Sequence, residues 1–378
     1  MKLSPRATGL TAAVVTVMIW TSFIIIARAS TAYTLRPLDI VFVRTCGAAA
    51  VLLPWAWWLM RPARQRGEKV GSLWGLSPLP WRITVLTGFF GSMMYGLLAY
   101  SGFFFAPAAH ASVLMPGSLP LWTSVLAWVL LRDRIGKTRA LGLLCIVGGD
   151  LLVGGASLLK AFEGGQVWVG DVCFMTAAFC WSVYGVLVRR HGLDPVRATM
   201  AITAFTTVAF LPVYGGLAWA GWVDSGLALA SWQELLFQLV FQGLGTVVIS
   251  GITFTLMVRH FGPVRSTMIT AIVPGLSALG AVLLLGEPLY WNLVAGLALV
   301  TVGILFGVLS TLKATPNDHA LNVHHGGTAN GHTHRTHCVH GFFQPVLAGQ
   351  QGNGCQRNRD LQRRGGLSPA VVLVHLLV

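Results

Sequence analysis

Ten apolar runs of about twenty residues constrain this chain more than anything else in it. They fall at roughly 8–28, 38–60, 82–102, 110–131, 138–157, 168–188, 198–219, 234–256, 264–286 and 289–311. A run of that length crosses a hydrocarbon core of roughly 30 Å as an α-helix, the form in which a single segment pairs all its own backbone N–H and C=O groups. Composition agrees, because 54% hydrophobic and 10% charged residues in a chain of 378 leave too few polar side chains to cover a water-soluble body. The first run exceeds the ~7 to 15 apolar residues of a cleavable leader and no small-residue cleavage site precedes the second run, so it reads as a retained helix.

A net charge of +14 would point to nucleic acid if it lay on one soluble face, so where the cations fall decides its meaning. With the N-terminus inside, seventeen Lys and Arg lie in inner segments, from Lys2 and Arg6 through Arg132, Arg139, Arg189 and Arg265 to Lys313. The outer connections hold only Arg28, Arg36 and Lys160, while Glu163, Asp171, Asp224, Glu234 and Glu287 fall on that outer side. This is the asymmetry that orients membrane proteins during insertion, and it predicts an inner-membrane, multi-pass protein with both termini in the cytoplasm and no nucleic-acid partner. Cys46, Cys145, Cys173 and Cys180 stand singly in apolar runs and act there as small hydrophobes.

The chain also repeats itself. Met18-Ile19-Trp20-Thr21-Ser22 in the first run answers to Phe179-Cys180-Trp181-Ser182-Val183 in the sixth, which places Trp20 and Trp181 161 residues apart. Arg36-Pro37 opens the second run and Asp194-Pro195 the seventh, and each run reaches a second proline, Pro54 or Pro212, 17 residues after the first. Pro120 stands 13 residues before Asp133 and Pro274 stands 13 before Glu287; Gly142 and Gly149 match Gly296 and Gly303. Five runs per copy is an odd number, so the second copy enters the membrane inverted. The fold expected is an all-α polytopic membrane protein of ten transmembrane helices in two inverted five-helix repeats, 8–157 and 168–311, with a tail at 312–378. In that architecture a solute site lies near the midplane, between the copies.

The residues that carry the repeat also carry a resemblance. The Trp of the first helix in each copy, Gly170-Asp171 opening the sixth run with Trp181 and Tyr184 following, and Gly286-Glu287-Pro288 closing the ninth resemble the EamA-type members of the drug/metabolite transporter superfamily. The likeness spans roughly residues 8 to 311 and lies in the order, spacing and duplication of these marks. It implies ten helices around a shared central cavity, a small-molecule metabolite as partner, and export or exchange of amino acids, related metabolites, nucleosides or drugs. Arg132-Asp133 departs from the Gly-Glu pair expected at the end of the fourth run and reads as a helix end.

Polar side chains inside the hydrocarbon are costly and mark candidate sites. Arg44, two turns into the second run, reads as a contact for an anion or carboxylate, or else as a partner for Asp39 one turn away. Glu234, Gln238 and Gln242 recur every four residues and stack on one face of the eighth run. They line a cavity or glue helices together, with Gly243, Gly245 and Thr246 allowing close approach. Trp20, Trp181, Tyr184 and Tyr95 are candidate walls of an amphipathic pocket. Pro116, Gly117 and Pro120 in the fourth run and Pro274 and Gly275 in the ninth interrupt corresponding helices, a pointer to a site or gate. Ser92 and Gly96 form a small-residue packing face. Asp150, Asp171 and the solitary His110 lie toward the outer side and carry little expectation of proton coupling.

After Lys313 the composition turns to Gly, His and Arg, with eight of the eleven histidines in 314–378. The spacing of His319, His324, His325, His332, His334, His337, Cys338 and His340 matches no closed metal site, and the segment reads as a cytoplasmic extension without a cofactor. The spans offer no His cluster, paired carboxylates, HExxH or GxSxG, which weighs against a membrane enzyme. A metal-responsive or metal-exporting protein using the tail remains as the alternative, and association into a homodimer is left open.

Overall fold

The computed structural model describes residues 5–67, 71–133, 135–161, 163–270 and 272–313; the histidine-rich tail, and with it the metal alternative, lies outside the described residues. The described residues form helices and short connections without a sheet. Among the described residues, nine helices are long and apolar enough to cross a bilayer: α1 (Ala7–Ala32), α2 (Pro37–Gln65), α3 (Trp81–Phe105), α4 (Ala108–Leu131), α5 (Lys137–Leu159), α6 (Val167–Arg190), α7 (Pro195–Trp219), α8 (Trp232–Phe261) and α9 (Pro263–Leu285). A further helix, α10 (Trp291–Lys313), runs for 23 residues, with its described apolar stretch at Trp291–Gly307.

Local chemistry sets the helix ends. Pro37, Pro195 and Pro263 occupy first helical positions, where a missing N–H costs nothing. The Asp194 carboxylate accepts from the Val196 and Arg197 N–H groups, and the Ser231 hydroxyl from Glu234 N–H. At the far ends of α4 and α9 the chain turns through left-handed residues, Arg132 at φ +58° and Gly286 at φ +67°. These two sit at equivalent places in the repeats. The bonds closing the two turns are equivalent as well, Asp133 N to Ala127 O and Glu287 N to Ala281 O.

The inversion is legible in two sets of contacts. First, α5 packs on α10 with Gly142 against the carbonyl of Gly303 and Gly149 against the carbonyl of Gly296, so closely that a Cβ on any of the four would strike backbone. Gly142 is the repeat counterpart of Gly296, and Gly149 of Gly303, so each contact is the other's image under a two-fold axis. Second, the ends of α1 and α3, the start of α4 and the turn after α9 meet in one cluster, through Arg28, Phe103, Ala108 and Glu287. At the opposite face the ends of α4, α6 and α8 and the starts of α5 and α9 surround one cavity. Thus α9 runs from the second face to the first, opposite to its counterpart α4.

Apolar stripes cover the outside at helical spacing, as with Leu10, Val14 and Met18 on α1 and Leu144, Leu151 and Leu158 on α5. Exposed tryptophans stand near the helix ends, Trp81 and Trp74 toward one face and Trp219, Trp222, Trp232 and Trp291 toward the other, as interfacial belts do. The fold is that of a multi-pass membrane protein, with its largest buried rings, Tyr100, Phe103, Phe174, Tyr184 and Phe254, between the helices.

Candidate functional site

Two adjoining pockets of about 20 Å³ each lie between the repeats, and Trp20, Phe23, Tyr95 and Trp181 line both. Each has room for about one water molecule, so the site is closed around a small void. The first pocket is completed by Arg44 from α2, Gly91 and Ser92 from α3, Ile202 from α7, and Thr246, Val247, Ser250 and Gly251 from α8. The second is completed by Ile24, by Met115, Pro116 and Leu119 from α4 and by Val273 from α9. Every pair of equivalent helices from the first to the fourth therefore contributes to the walls.

The aromatic candidates meet. Trp20 packs edge-on against Trp181 with ring centres 5.8 Å apart and stacks on Phe254 at 5.2 Å, while Tyr95 lies 4.8 Å from Trp181. Trp20 Nε1 donates to Ser250 Oγ at 3.3 Å. The indole N–H of Trp181 has no acceptor although the side chain is buried. Tyr184 stands behind Trp181 at 5.2 Å, with its hydroxyl 2.9 Å from that of Thr255, and does not reach either pocket. Its ring instead fills the space left by the missing side chain of Gly91.

Arg44 is buried, with 7% of its surface exposed, and its guanidinium lies over the Tyr100 ring at 5.2 Å. Its Nη1 has no hydrogen-bond partner, and among the described residues no carboxylate pairs with it. The pairing with Asp39 does not occur. The Asp39 carboxylate accepts instead from Arg36 N–H, Tyr214 O–H, Ser225 O–H and Gly226 N–H, and it ties the start of α2 to α7 and the loop that follows. Four donors, one local and three from α7 and the loop after it, outcompete one arginine on the same helix. The residue equivalent to Arg44 in the second repeat is Ile202, on the same pocket wall, so the symmetric architecture carries one cation.

The polar stripe of α8 bonds to neighbouring helices, and Glu234 and Gln238 also line a cavity of about 370 Å³ beside the start of that helix. Glu234 accepts from Leu35 N–H at 3.0 Å, Gln238 donates to Ser30 Oγ at 2.8 Å, and Gln242 accepts from the Tyr100 hydroxyl at 2.7 Å. Neither glutamine lines the two central pockets. Gln242 bears on the site indirectly, since it fixes the ring on which Arg44 rests. Gly243 lets α8 approach α2 at Gly47, in keeping with the small residues read there.

Interruptions fall where the repeats demand them. A π-helical turn at Val113–Gly117 contains Pro116, and Pro120 opens the remainder of α4; in α9 the helix breaks at Thr270 and resumes at Ile272, with Pro274 in its first turn. Pro116 reaches the second pocket, and Ser277 on α9 donates to Ser112 on α4 at 2.9 Å. Two further π stretches, Phe89–Met94 in α3 and Gln238–Ile249 in α8, carry Gly91, Ser92, Thr246 and Val247 to the pocket. No side-chain pattern announces these stretches, so the pocket roles of Ser92, Thr246 and Ser250 are absent from a reading of the sequence alone.

The two ends differ. At one, Arg28 Nε lies 3.0 Å from Glu287 Oε1, Arg28 Nη1 donates to Phe103 O at 2.8 Å, and Glu287 accepts the Ala108 and Ala109 N–H groups that begin α4. At the other, the equivalents of these residues, Arg189, Asp133 and Gly262, line a cavity of about 470 Å³ together with Arg139 and Arg265. Arg189 and Asp133 form no ion pair with each other there.

His110 is not solitary. Its Nδ1 lies 2.8 Å from Asp171 Oδ1, and Ser157 donates to the other Asp171 oxygen, so this triplet knits α4, α5 and α6. The carboxylate sits between serine and histidine, so the hydroxyl bonds the carboxylate and not the imidazole. Asp150 is buried on α5 with neither oxygen partnered. Among the described residues no three His, Cys, Asp or Glu converge on a point where a metal would sit.

Sequence comparison decides the family. The model of the EamA-like transporter family matches residues 7–155 and again residues 168–309. The chain belongs to the EamA-like transporter family. Relatives of this EamA-like chain include an uncharacterised transporter of Bacillus subtilis, YyaM, 25% identical over 224 residues that cover 58% of this chain and 71% of that one. A WAT1-related protein of Arabidopsis thaliana is 24% identical over 257 residues, covering 60% of this chain and 65% of the relative. A solved crystal structure superposes with a TM-score of 0.53 at 21% identity, over 81% of this chain and 98% of the other, a likeness of fold alone. Family and fold together make this a membrane transporter.

Proposed function

We propose that this EamA-like protein exports amino acids or related small metabolites across the inner membrane by alternating access between its two repeats, with both termini in the cytoplasm. The observation that carries the reading is the void between the repeats, walled by aromatic rings and lined by a buried arginine whose Nη1 has no hydrogen-bond partner and with which no carboxylate among the described residues pairs. A polar group is kept inside the hydrocarbon where it serves a solute or a pathway. Alternating access draws support from the two unlike ends. The Arg28 and Glu287 contact shuts the face to which the basic segments do not belong, while equivalent residues at the basic face stand apart around a cavity. Exchange of these two arrangements between the inverted copies would open one side as it closes the other.

The test is flux through the purified full-length chain in proteoliposomes, with labelled amino acids and small organic acids offered from each side. Saturable counterflow that falls at least tenfold when Trp181 is replaced by Ala, with insertion unchanged, is the expected result. Flux of every such solute at the rate of empty vesicles would overturn the reading.

A further inference from the structure

We propose that the solute is a net anion, an organic carboxylate with a flat apolar body and no ammonium group. This rests on the transport reading above and, within it, narrows the solute to carboxylate metabolites other than amino acids, so the central pocket takes one charge class. Arg44 and Trp181 both line that pocket, at only 7% and 6% exposure, and each carries a buried donor without an acceptor, Nη1 and Nε1. A buried donor left unpaired is destabilising, and a buried guanidinium without a counter-charge is more so. Both call for a ligand rich in acceptors, and the guanidinium calls for a negative one.

The remaining groups point the same way. No Asp or Glu lines either central pocket. The acidic side chains nearest along α2 and α8 are engaged elsewhere, Asp39 by Tyr214 and Ser225 and Glu234 by Leu35 N–H. The repeat equivalent of Arg44 is Ile202, so the second copy supplies no balancing charge.

An ammonium group would find few partners here. The Tyr100 face is already taken by Arg44, and Trp20 is stacked on Phe254. A carboxylate anion makes the loaded site neutral; a zwitterion leaves its ammonium uncompensated, and a cation places two like charges in one low-dielectric cavity. The aromatic walls then take the apolar body of the anion, with Trp20 and Trp181 as its nearest surfaces.

Three probes with one skeleton separate the charge classes: 3-phenylpropionate, L-phenylalanine and phenethylamine. Each is offered to the full-length chain in proteoliposomes under potassium potentials clamped with valinomycin, and each is also scored for its effect on the melting temperature of the detergent-purified protein. The expected result is 3-phenylpropionate flux at least tenfold above that of L-phenylalanine, with net movement that reverses when the potential is reversed. Arg44→Ile, which installs the residue the other repeat carries, should remove that preference while leaving the melting temperature of the unliganded protein within a few degrees. Arg44→Lys should keep part of it. Faster flux or greater stabilisation with L-phenylalanine or phenethylamine, unaltered by Arg44→Ile, would overturn the anion proposal and leave transport standing. Flux of none of these or of any other metabolite would end the transport reading, and melting shifts that favour the zwitterion or the amine would refute the charge class on their own.

Discussion

Replacement of Glu287 by Ala should loosen the face that Arg28 closes, by an amount the structure allows to be worked out. The carboxylate accepts from Arg28 Nε at 3.0 Å and from the Ala108 and Ala109 N–H groups at 3.1 and 3.2 Å. Loss of the cap at the start of α4 costs about 1 kcal/mol. The charge-assisted bond to Arg28 adds about 1 kcal/mol, a value held down because that side chain is 31% exposed and solvent screens it. Together, about 2 kcal/mol favours the closed arrangement, which is roughly a thirtyfold change in the ratio of closed to open. Spin labels at Tyr33 and Leu289, both exposed beside this face, report the opening as a distance distribution. The expected result is growth of a longer distance by at least tenfold in Glu287→Ala, with Glu287→Gln intermediate because one acceptor remains. An unchanged distribution in a variant whose melting temperature falls would refute the reasoning, since the contact would then serve stability alone.

Other residues make sharper or simpler demands. Arg132→Gly should stabilise the protein by about 1 kcal/mol, read as a higher melting temperature, because Arg132 holds φ +58° where its counterpart is Gly286. Asp39→Ala should destabilise by about 3 kcal/mol in the same assay, since it orphans a tyrosine, a serine and two backbone donors at once. Gly149→Val should lower the yield of folded protein markedly, because its Cβ would strike the Gly296 carbonyl, whereas Gly154→Val, with open space around it, should be tolerated.

Much of the architecture was legible in the residues, and the reason is periodicity. Apolar runs long enough to span, prolines at matched spacings and the Trp20 and Trp181 pair are local patterns, and they specify helices and their duplication without knowledge of packing. Trp20, Tyr95, Trp181 and Tyr184 read as walls of one pocket; the structure brings the first three together there and sets Tyr184 behind Trp181. What failed to read depends on register between helices far apart in sequence. Arg44 and Asp39 look like partners because they are near neighbours on α2, but donors nearly two hundred positions later claim the aspartate. Gln238 and Gln242 share a face, and nothing in their spacing tells that it bonds the α1 and α3 hydroxyls or that Gln238 also borders a cavity apart from the central pockets. The Glu287 carboxylate looked like a helix end and is also the bond that joins the two copies at one face.

Passage of the solute through the Trp20, Arg44 and Trp181 pocket is the claim on which the rest depends, and Ser92 offers the most direct way to test it. Ser92→Cys, in a chain whose native cysteines have been replaced, changes one atom in the pocket wall. The rate of its modification by a thiol reagent is followed alongside flux. Modification slowed by saturating solute, with flux lost in proportion to the fraction modified, is the predicted result. Complete modification that leaves flux unchanged would contradict the account.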